Sequence, residues 1–152
     1  MKILIINGPN LNFLGIREKD VYGTETYDDL VRMIKKHATD SAFEVTIVQT
    51  NHEGVIIDQI QAAYGDGTEG IIINPGAYTH YSYAIYDALK SVSVNGIPII
   101  EVHITDISAR EEWRKLSVTA PACDLQITGE GFEGYLHAMD ALAALILEKQ
   151  SR

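Results

Sequence analysis

The chain has a single cysteine, Cys123, among 152 residues. One thiol excludes a disulfide framework and a structural zinc site built from thiolates. Cys123 therefore reads as a small core filler rather than a nucleophile. Basic charge is also scarce: 12 lysines and arginines stand against 21 aspartates and glutamates, for a formal net charge of −9. With no basic stripe to neutralise phosphates, general binding to nucleic acid or to an anionic membrane is excluded. A small anionic substrate is not, since a few local arginines suffice for one. No apolar run approaches the roughly 18 residues that a membrane span needs. No repeat, low-complexity tract or linker interrupts the sequence, and one domain over residues 1–152 is expected. The opening Met1-Lys2-Ile3-Leu4 lacks a signal-peptide pattern, so a reduced, cytoplasmic setting is expected. There is no Walker A sequence, and neither Gly8-Pro9-Asn10 nor Gly129-Glu130-Gly131 matches a dinucleotide fingerprint. The first loop also lacks the hydroxyl-rich phosphate cradle of a flavin site, and no cofactor is expected.

What the chain does have is a series of short apolar runs that end in polar clusters. Lys2 to Ile6 stops at Asn7-Gly8-Pro9-Asn10-Leu11-Asn12. Phe43 to Val48 stops at Gln49-Thr50-Asn51-His52-Glu53-Gly54. Gly70 to Ile73 stops at Asn74-Pro75-Gly76-Ala77-Tyr78-Thr79-His80. Pro98 to His103 stops at Ile104-Thr105-Asp106. A fifth strand is expected over Asp124-Leu125-Gln126-Ile127. Amphipathic stretches alternate with these runs. Thr26-x-x-Asp29 reads as a capping box opening a helix with Tyr27, Leu30, Val31 and Ile34 at helical spacing. Val55, Ile56, Gln59, Ile60 and Ala63 predict a second helix closing near Gly65. His80 to Val92 predicts a third, with Ala84, Ile85, Ala88 and Leu89 on one face. Ser108-x-x-Glu111 predicts a short capped helix carrying Trp113. Glu133 to Lys149 predicts the last, with Tyr135, Met139, Leu142, Ala143 and Ile146 as its buried stripe. The alternation implies an α/β fold, a flavodoxin-like three-layer sandwich on a five-stranded parallel sheet of order 2-1-3-4-5. Ligands bind such sheets beyond the carboxyl ends of the strands, at the switch point between strands 1 and 3. The polar clusters would meet there. Residues 13–25, with Gly15, Arg17, Tyr22 and Gly23, have no clear period and read as a lid with glycine hinges, or as a mobile surface loop.

His37 and His137 read as helix residues, solvated or structural. His52, His80 and His103 each follow a strand, but their dispersed spacing does not predict a metal site. Glu101-Val102-His103 puts a carboxylate and an imidazole on one face of a strand, where the acid would orient the ring and favour its protonated form. The alternative is a polar pair facing solvent. Arg110 and Arg114, four apart on the expected short helix, share a face, either as an anion clamp or in salt bridges with Glu111 or Glu112. Tyr22 shares its loop with Arg17, and an adjacent guanidinium favours a phenolate. A phenolate base on a lid with an imidazolium acid on the scaffold is a coherent pair for elimination.

Ile6-Asn7-Gly8-Pro9-Asn10-Leu11-Asn12, Gly15-x-Arg17-Glu18 and Tyr22-Gly23-Thr24 closely resemble type II 3-dehydroquinate dehydratases. So do Gln49 to Gly54, Asn74 to His80, Glu101-Val102-His103 and Ala109-Arg110-Glu111-Glu112-Trp113-Arg114, in order along nearly the whole chain. The resemblance implies a lyase that removes water from 3-dehydroquinate to give 3-dehydroshikimate, in aromatic (chorismate) biosynthesis by the shikimate pathway or in quinate breakdown, without metal or cofactor. It implies Tyr22 as base, Arg17 as its charged partner, Asn12 as holder of the water or dipole that stabilises the enolate, His103 as acid and Glu101 as its orienting group. It implies Asn74, His80, Arg110, Arg114 and the backbone of Ile104 and Thr105 as substrate contacts. Asp87 matches a position that reaches a neighbouring subunit, and a dodecamer of four trimers is implied. The chain departs from the usual pattern at Asp106 and Ser108, where the family carries Asn and His, and at Lys115-Leu116, where paired histidines are common. Asp106 adds negative charge beside a turn expected to hold a carboxylate. The competing reading is a non-catalytic flavodoxin-like binding or signalling module, which leaves the pairing of Arg17 with Tyr22 unexplained. A receiver domain would need an acidic cluster after strand 1, which Asn7-Gly8-Pro9-Asn10 does not supply.

Overall fold

The computed structural model describes all 152 residues. Five strands, β1 (Lys2–Asn7), β2 (Glu44–Gln49), β3 (Gly70–Asn74), β4 (Ile99–His103) and β5 (Leu125–Thr128), form one parallel sheet in the order β2-β1-β3-β4-β5. The expected strand order is the observed one. Strands β1, β3 and β4 are buried on both faces, which is why β1 and β3 read as unbroken Ile and Leu runs rather than as alternating ones, while β4 buries Glu101 and His103 among its apolar residues. The edge strands β2 and β5 are partly exposed.

Five helices complete the chain: α1 (Lys19–Tyr22), α2 (Tyr27–Asp40), α3 (Glu53–Ala63), α4 (Tyr83–Ser93) and α5 (Glu133–Gln150). Successive residues of a strand point to opposite faces, so the sheet divides the interior into two cores. Ile3, Ile5, Ile72, Ile100 and Val102 pack with Leu30 and Ile34 of α2 and with Tyr135, Met139 and Leu142 of α5. Leu4, Ile6, Ile71, Ile73 and Ile99 pack with Ile56 and Ile60 of α3 and with Ile85 and Leu89 of α4. Each fully buried Ile or Leu contributes about 1.5–3 kcal/mol of transfer free energy. No helix is long and apolar enough to cross a membrane.

Capping chemistry decides where several helices begin. At α2 the box is complete: Thr26 accepts from Asp29 N at 3.1 Å and Asp29 accepts from Thr26 N at 2.9 Å. The expected helix from His80 starts later. Ser82 caps α4 by accepting from Ile85 N, so helix geometry begins at Tyr83, and His80 instead ends a 3-10 segment over Gly76–His80. The expected capped helix from Ser108 does not form. Asp106 takes the Ser108 N–H and caps a single 3-10 turn, Ile107–Ala109. Arg110 is then extended, and a second 3-10 turn spans Glu112–Arg114. Arg110 and Arg114 therefore do not share a helix face. Val55 and Ala84, expected on buried faces, are exposed. His37 is not merely solvated: it bridges α2 to α5 through Asp140 at 2.7 Å. Within residues 13–25 the four-residue α1 interrupts what the sequence left without a period.

Candidate active site

The carboxyl ends of β1, β3 and β4 and the segment carrying α1 enclose a cleft of about 600 Å³, counting the open space at its mouth. Two loops meet closely at its floor. A Cβ on Gly8 would stand 2.5 Å from the Pro75 carbonyl oxygen, so only glycine lets the first loop approach the third. Gly76 faces Pro9 from the other side at φ 60°, a conformation glycine adopts without strain. The amide-rich cluster after β2 supports this arrangement from behind: Gln49 donates to Gly8 O at 3.1 Å and Asn51 accepts from Asn10 N at 3.0 Å.

Three arginines, Arg17, Arg110 and Arg114, and two histidines, His80 and His103, line the cleft, and no acidic side chain does. A chain of net charge −9 thus places three guanidiniums and no carboxylate in one concave site, an arrangement that draws in anions. Tyr22 enters from residues 13–25 between two guanidinium groups. Arg17 lies over the ring at 4.0 Å from its centroid, and Arg110 Nη1 donates to the Tyr22 hydroxyl at 2.5 Å. Arg17 Nε is buried without a partner, a donor that an anionic group in the cleft would satisfy.

His103 stands on the opposite support. Its Nε2 donates to Glu101 Oε2 at 3.0 Å, and both residues are buried rather than facing solvent. Glu101 is caged. Oε2 also accepts from Ser117 at 2.8 Å and from Gln126 at 2.7 Å, and Oε1 accepts from Thr79 at 3.1 Å and from Thr119. Burial alone would raise the Glu101 pKa. The hydrogen bond and charge of His103, with the bonds from Thr119 and Gln126, outweigh it and hold the carboxyl below its usual range. The pair is therefore a carboxylate braced by five donors with an imidazole in front of it. Thr79, Ser117, Thr119 and Gln126 were not singled out from the sequence. The signal for Gln126 lay in register, since it pairs directly with Glu101 across β4 and β5.

His80 donates from Nδ1 to the Leu116 carbonyl at 2.8 Å and meets Trp113 edge-on at 5.3 Å. Burial lowers its pKa, aided by the nearby His103 and Arg114 charges, so the ring is held neutral with Nε2 as an acceptor. Arg114 stacks on Trp113 at 4.0 Å and bonds Glu111 at 2.5 Å. Asn74, Ile104 and Thr105 line the cleft as expected. Three expected residues do not: Glu101 sits behind His103, and Asn12 and Asp87 lie outside the lining. Asn12 is exposed in the turn Leu11–Phe13, while its neighbours Asn10 and Leu11 line the cleft, and Asp87 is exposed on α4. His52 is exposed at the start of α3. Asp106 points its carboxylate at Ser108 N and Oγ, at 3.0 and 2.7 Å, and lines a separate crevice. Burial pushes the Cys123 thiol far up, so it stays an uncharged packing group.

Comparison with known proteins gives the family of the chain. Residues 1–143 match the model of the family described as dehydroquinase class II. A 3-dehydroquinate dehydratase of Lachnospira eligens is 56% identical over 149 residues, 98% of this chain and all of that protein. One from Clostridium acetobutylicum is 57% identical over 146 residues, 96% of this chain and 99% of that protein. The crystal structure of a type II dehydroquinase from Butyrivibrio crossotus superposes with a TM-score of 0.92 at 61% identity, covering 94% of this chain and 97% of that one.

Proposed function

The chain belongs to the class II dehydroquinase family and is a 3-dehydroquinate dehydratase, a lyase. From that premise we propose that it removes water by an anti elimination through an enolate, with Tyr22 as base and His103 as acid. The observation that carries the proposal is their placement: both line one cleft, with two guanidiniums at Tyr22 and a caged carboxylate behind His103.

Tyr22, flanked by the guanidiniums of Arg17 and Arg110, acts as the base and takes the proton from the carbon beside the ketone. The electrons of that C–H bond become the enolate. Asn12, exposed beside Leu11 at the mouth, stabilises the enolate oxygen through a bound water. When the enolate collapses to the ketone, the carbon–oxygen bond to the leaving hydroxyl breaks. His103, whose Nε2 is held by Glu101, delivers a proton from Nδ1 and water departs. The carboxylate of the substrate is held by the backbone N–H groups of Ile104 and Thr105 and by the charges of Arg110 and Arg114. His80 accepts from a substrate hydroxyl and Asn74 donates to one. Residues 13–25 close over the ring and exclude bulk water. The working enzyme is a cytoplasmic dodecamer of four trimers, in which Asp87 on the outer face of α4 reaches a neighbour's cleft. The reaction serves chorismate biosynthesis by the shikimate pathway, or quinate breakdown.

Dehydration creates a conjugated enone, so ultraviolet absorbance follows turnover of 3-dehydroquinate directly. Tyr22→Phe and His103→Ala are each expected to lower kcat by about 10²- to 10⁴-fold, the usual contribution of one acid or base. Turnover within about threefold of the parent protein in either variant would show that the assigned group does not move the proton.

A further inference from the structure

We propose that Tyr135, within the first turn of α5, is a positioning residue for substrate binding: its buried hydroxyl locks the Asn74 amide with one N–H turned into the cleft. The helical period of α5 marks Tyr135 only as a packing residue, and its ring does pack against both β3 and β4. Its hydroxyl does something more specific. Asn7 and Asn74 are register partners at the carboxyl ends of β1 and β3, and Tyr135 joins them, accepting from Asn74 Nδ2 at 3.0 Å and donating to Asn7 Oδ1 at 2.6 Å. All three are buried: Asn7 and Tyr135 have no exposure and Asn74 has 3%.

The direction of each bond in this chain is determined. Gly76 N–H can only donate, so the Asn74 atom 3.1 Å from it is Oδ1. That fixes Nδ2 toward Tyr135, whose hydroxyl must accept there and give its own proton to Asn7. Burial keeps the phenol protonated, so the direction does not reverse with pH in the working range. One Nδ2–H of Asn74 remains unused, and Asn74 lines the cleft. The amide therefore presents a donor to an oxygen of the substrate. A rotated amide would present its carbonyl oxygen instead and leave the substrate hydroxyl oxygen without that donor. Tyr135 and Gly76 together set which end faces the substrate, and only Tyr135 does so by a side chain.

The inference rests on the dehydratase reading, and its test separates the two. In the ultraviolet assay, Tyr135→Phe is expected to raise KM for 3-dehydroquinate about five- to tenfold, the equivalent of one buried hydrogen bond, with kcat lowered less than twofold. A residue that acts through Asn74 has nothing to act on once that amide is gone. Adding Tyr135→Phe to Asn74→Ala should therefore change KM less than twofold. Asn7→Ala, which breaks the same chain at its far end, should raise KM in the same direction and lose its effect in the Asn74→Ala background; it keeps the test open if the phenylalanine variant does not fold. KM within twofold of the parent in Tyr135→Phe, or a double-variant loss equal to the product of the single losses, would overturn the proposal. An inactive parent protein would remove the dehydratase reading, and this one with it.

Discussion

Tyr22 and His103 face one cleft from two unlike supports. Residues 13–25 hold Tyr22 by short-range backbone bonds, Phe13 to Ile16 and Arg17 and Glu18 to Val21 and Tyr22. The one hydrogen bond that joins this segment to a distant part of the chain is the one from Arg110 to the Tyr22 hydroxyl. Phe13, Ile16 and Val21 are exposed, and Leu14 is the segment's single residue in the buried core. His103, by contrast, ends a strand buried along its whole length, and its partner Glu101 holds five side-chain donors from four separate parts of the chain. Few buried contacts and local bonds describe a segment that opens at low free energy, and a dense buried network describes one that does not. The difference fits the proposed roles, in which the base on residues 13–25 retracts to admit substrate and the acid holds one tautomer.

The largest test of this contrast removes the cage. Glu101→Ala strands several buried donors and unpairs the imidazole, a change that costs about 3–5 kcal/mol in comparable buried pairs. At about 2–4 °C per kcal/mol for a chain of this size, Tm should fall on the order of 10 °C, with turnover largely lost. Tyr22→Phe should lose turnover with Tm nearly unchanged, because a substitution outside the core network costs within about 0.5 kcal/mol. Equal melting losses in the two variants would erase the distinction drawn between the supports. A step smaller, Arg110→Ala deletes the single long-range hydrogen bond of residues 13–25. It should lower kcat about 10- to 100-fold, the range of a charged hydrogen bond, without lowering Tm.

Acid titration sharpens the same contrast. The Glu101 carboxyl is held below its usual range in the folded protein, so the unfolded chain binds its proton more readily. Its stabilisation is complete above the ordinary glutamate pKa of about 4.3 and is lost as pH falls from there through the depressed folded value. Melting curves of the parent protein and of Glu101→Gln should converge as pH drops from about 5 toward 3. Parallel curves over that interval would place the acid sensitivity elsewhere.

Much of this was legible in the sequence, for physical reasons. An apolar run buried on both faces has no period to hide, so β1, β3 and β4 and their order could be read, and the polar residues just past them fell at the switch point. Legibility failed where bonding partners lie far apart. Gln126 meets Glu101 through sheet register, Ser117 and Thr119 through the path of the chain between β4 and β5, and Thr79 from the 3-10 segment after β3. A helical period said that Tyr135 is buried, not that its hydroxyl joins two asparagines. The segment after β4 misled for another reason. Both Asp106 and Ser108 are capping residues, and the acid two positions upstream took the Ser108 N–H first, ending the turn before Arg110.

That competition settles how Asp106 bears on binding and gives the smallest prediction. A carboxylate beside an anion-binding turn ought to repel the substrate. Here its Oδ1 accepts from Ser108 N and Oγ, and these bonds hold its pKa down. The side chain lines a crevice apart from the cleft that holds Ile104 and Thr105. Asp106→Asn keeps a capping oxygen and removes the charge. It should cost no more than a few tenths of a kcal/mol in stability, since asparagine caps about as well as aspartate. KM at moderate ionic strength should stay within about twofold, because screening weakens a charge directed away from the site. A KM several-fold lower in the variant would mean that the carboxylate reaches the substrate after all, and that its turn away from the cleft does not persist when the site is occupied.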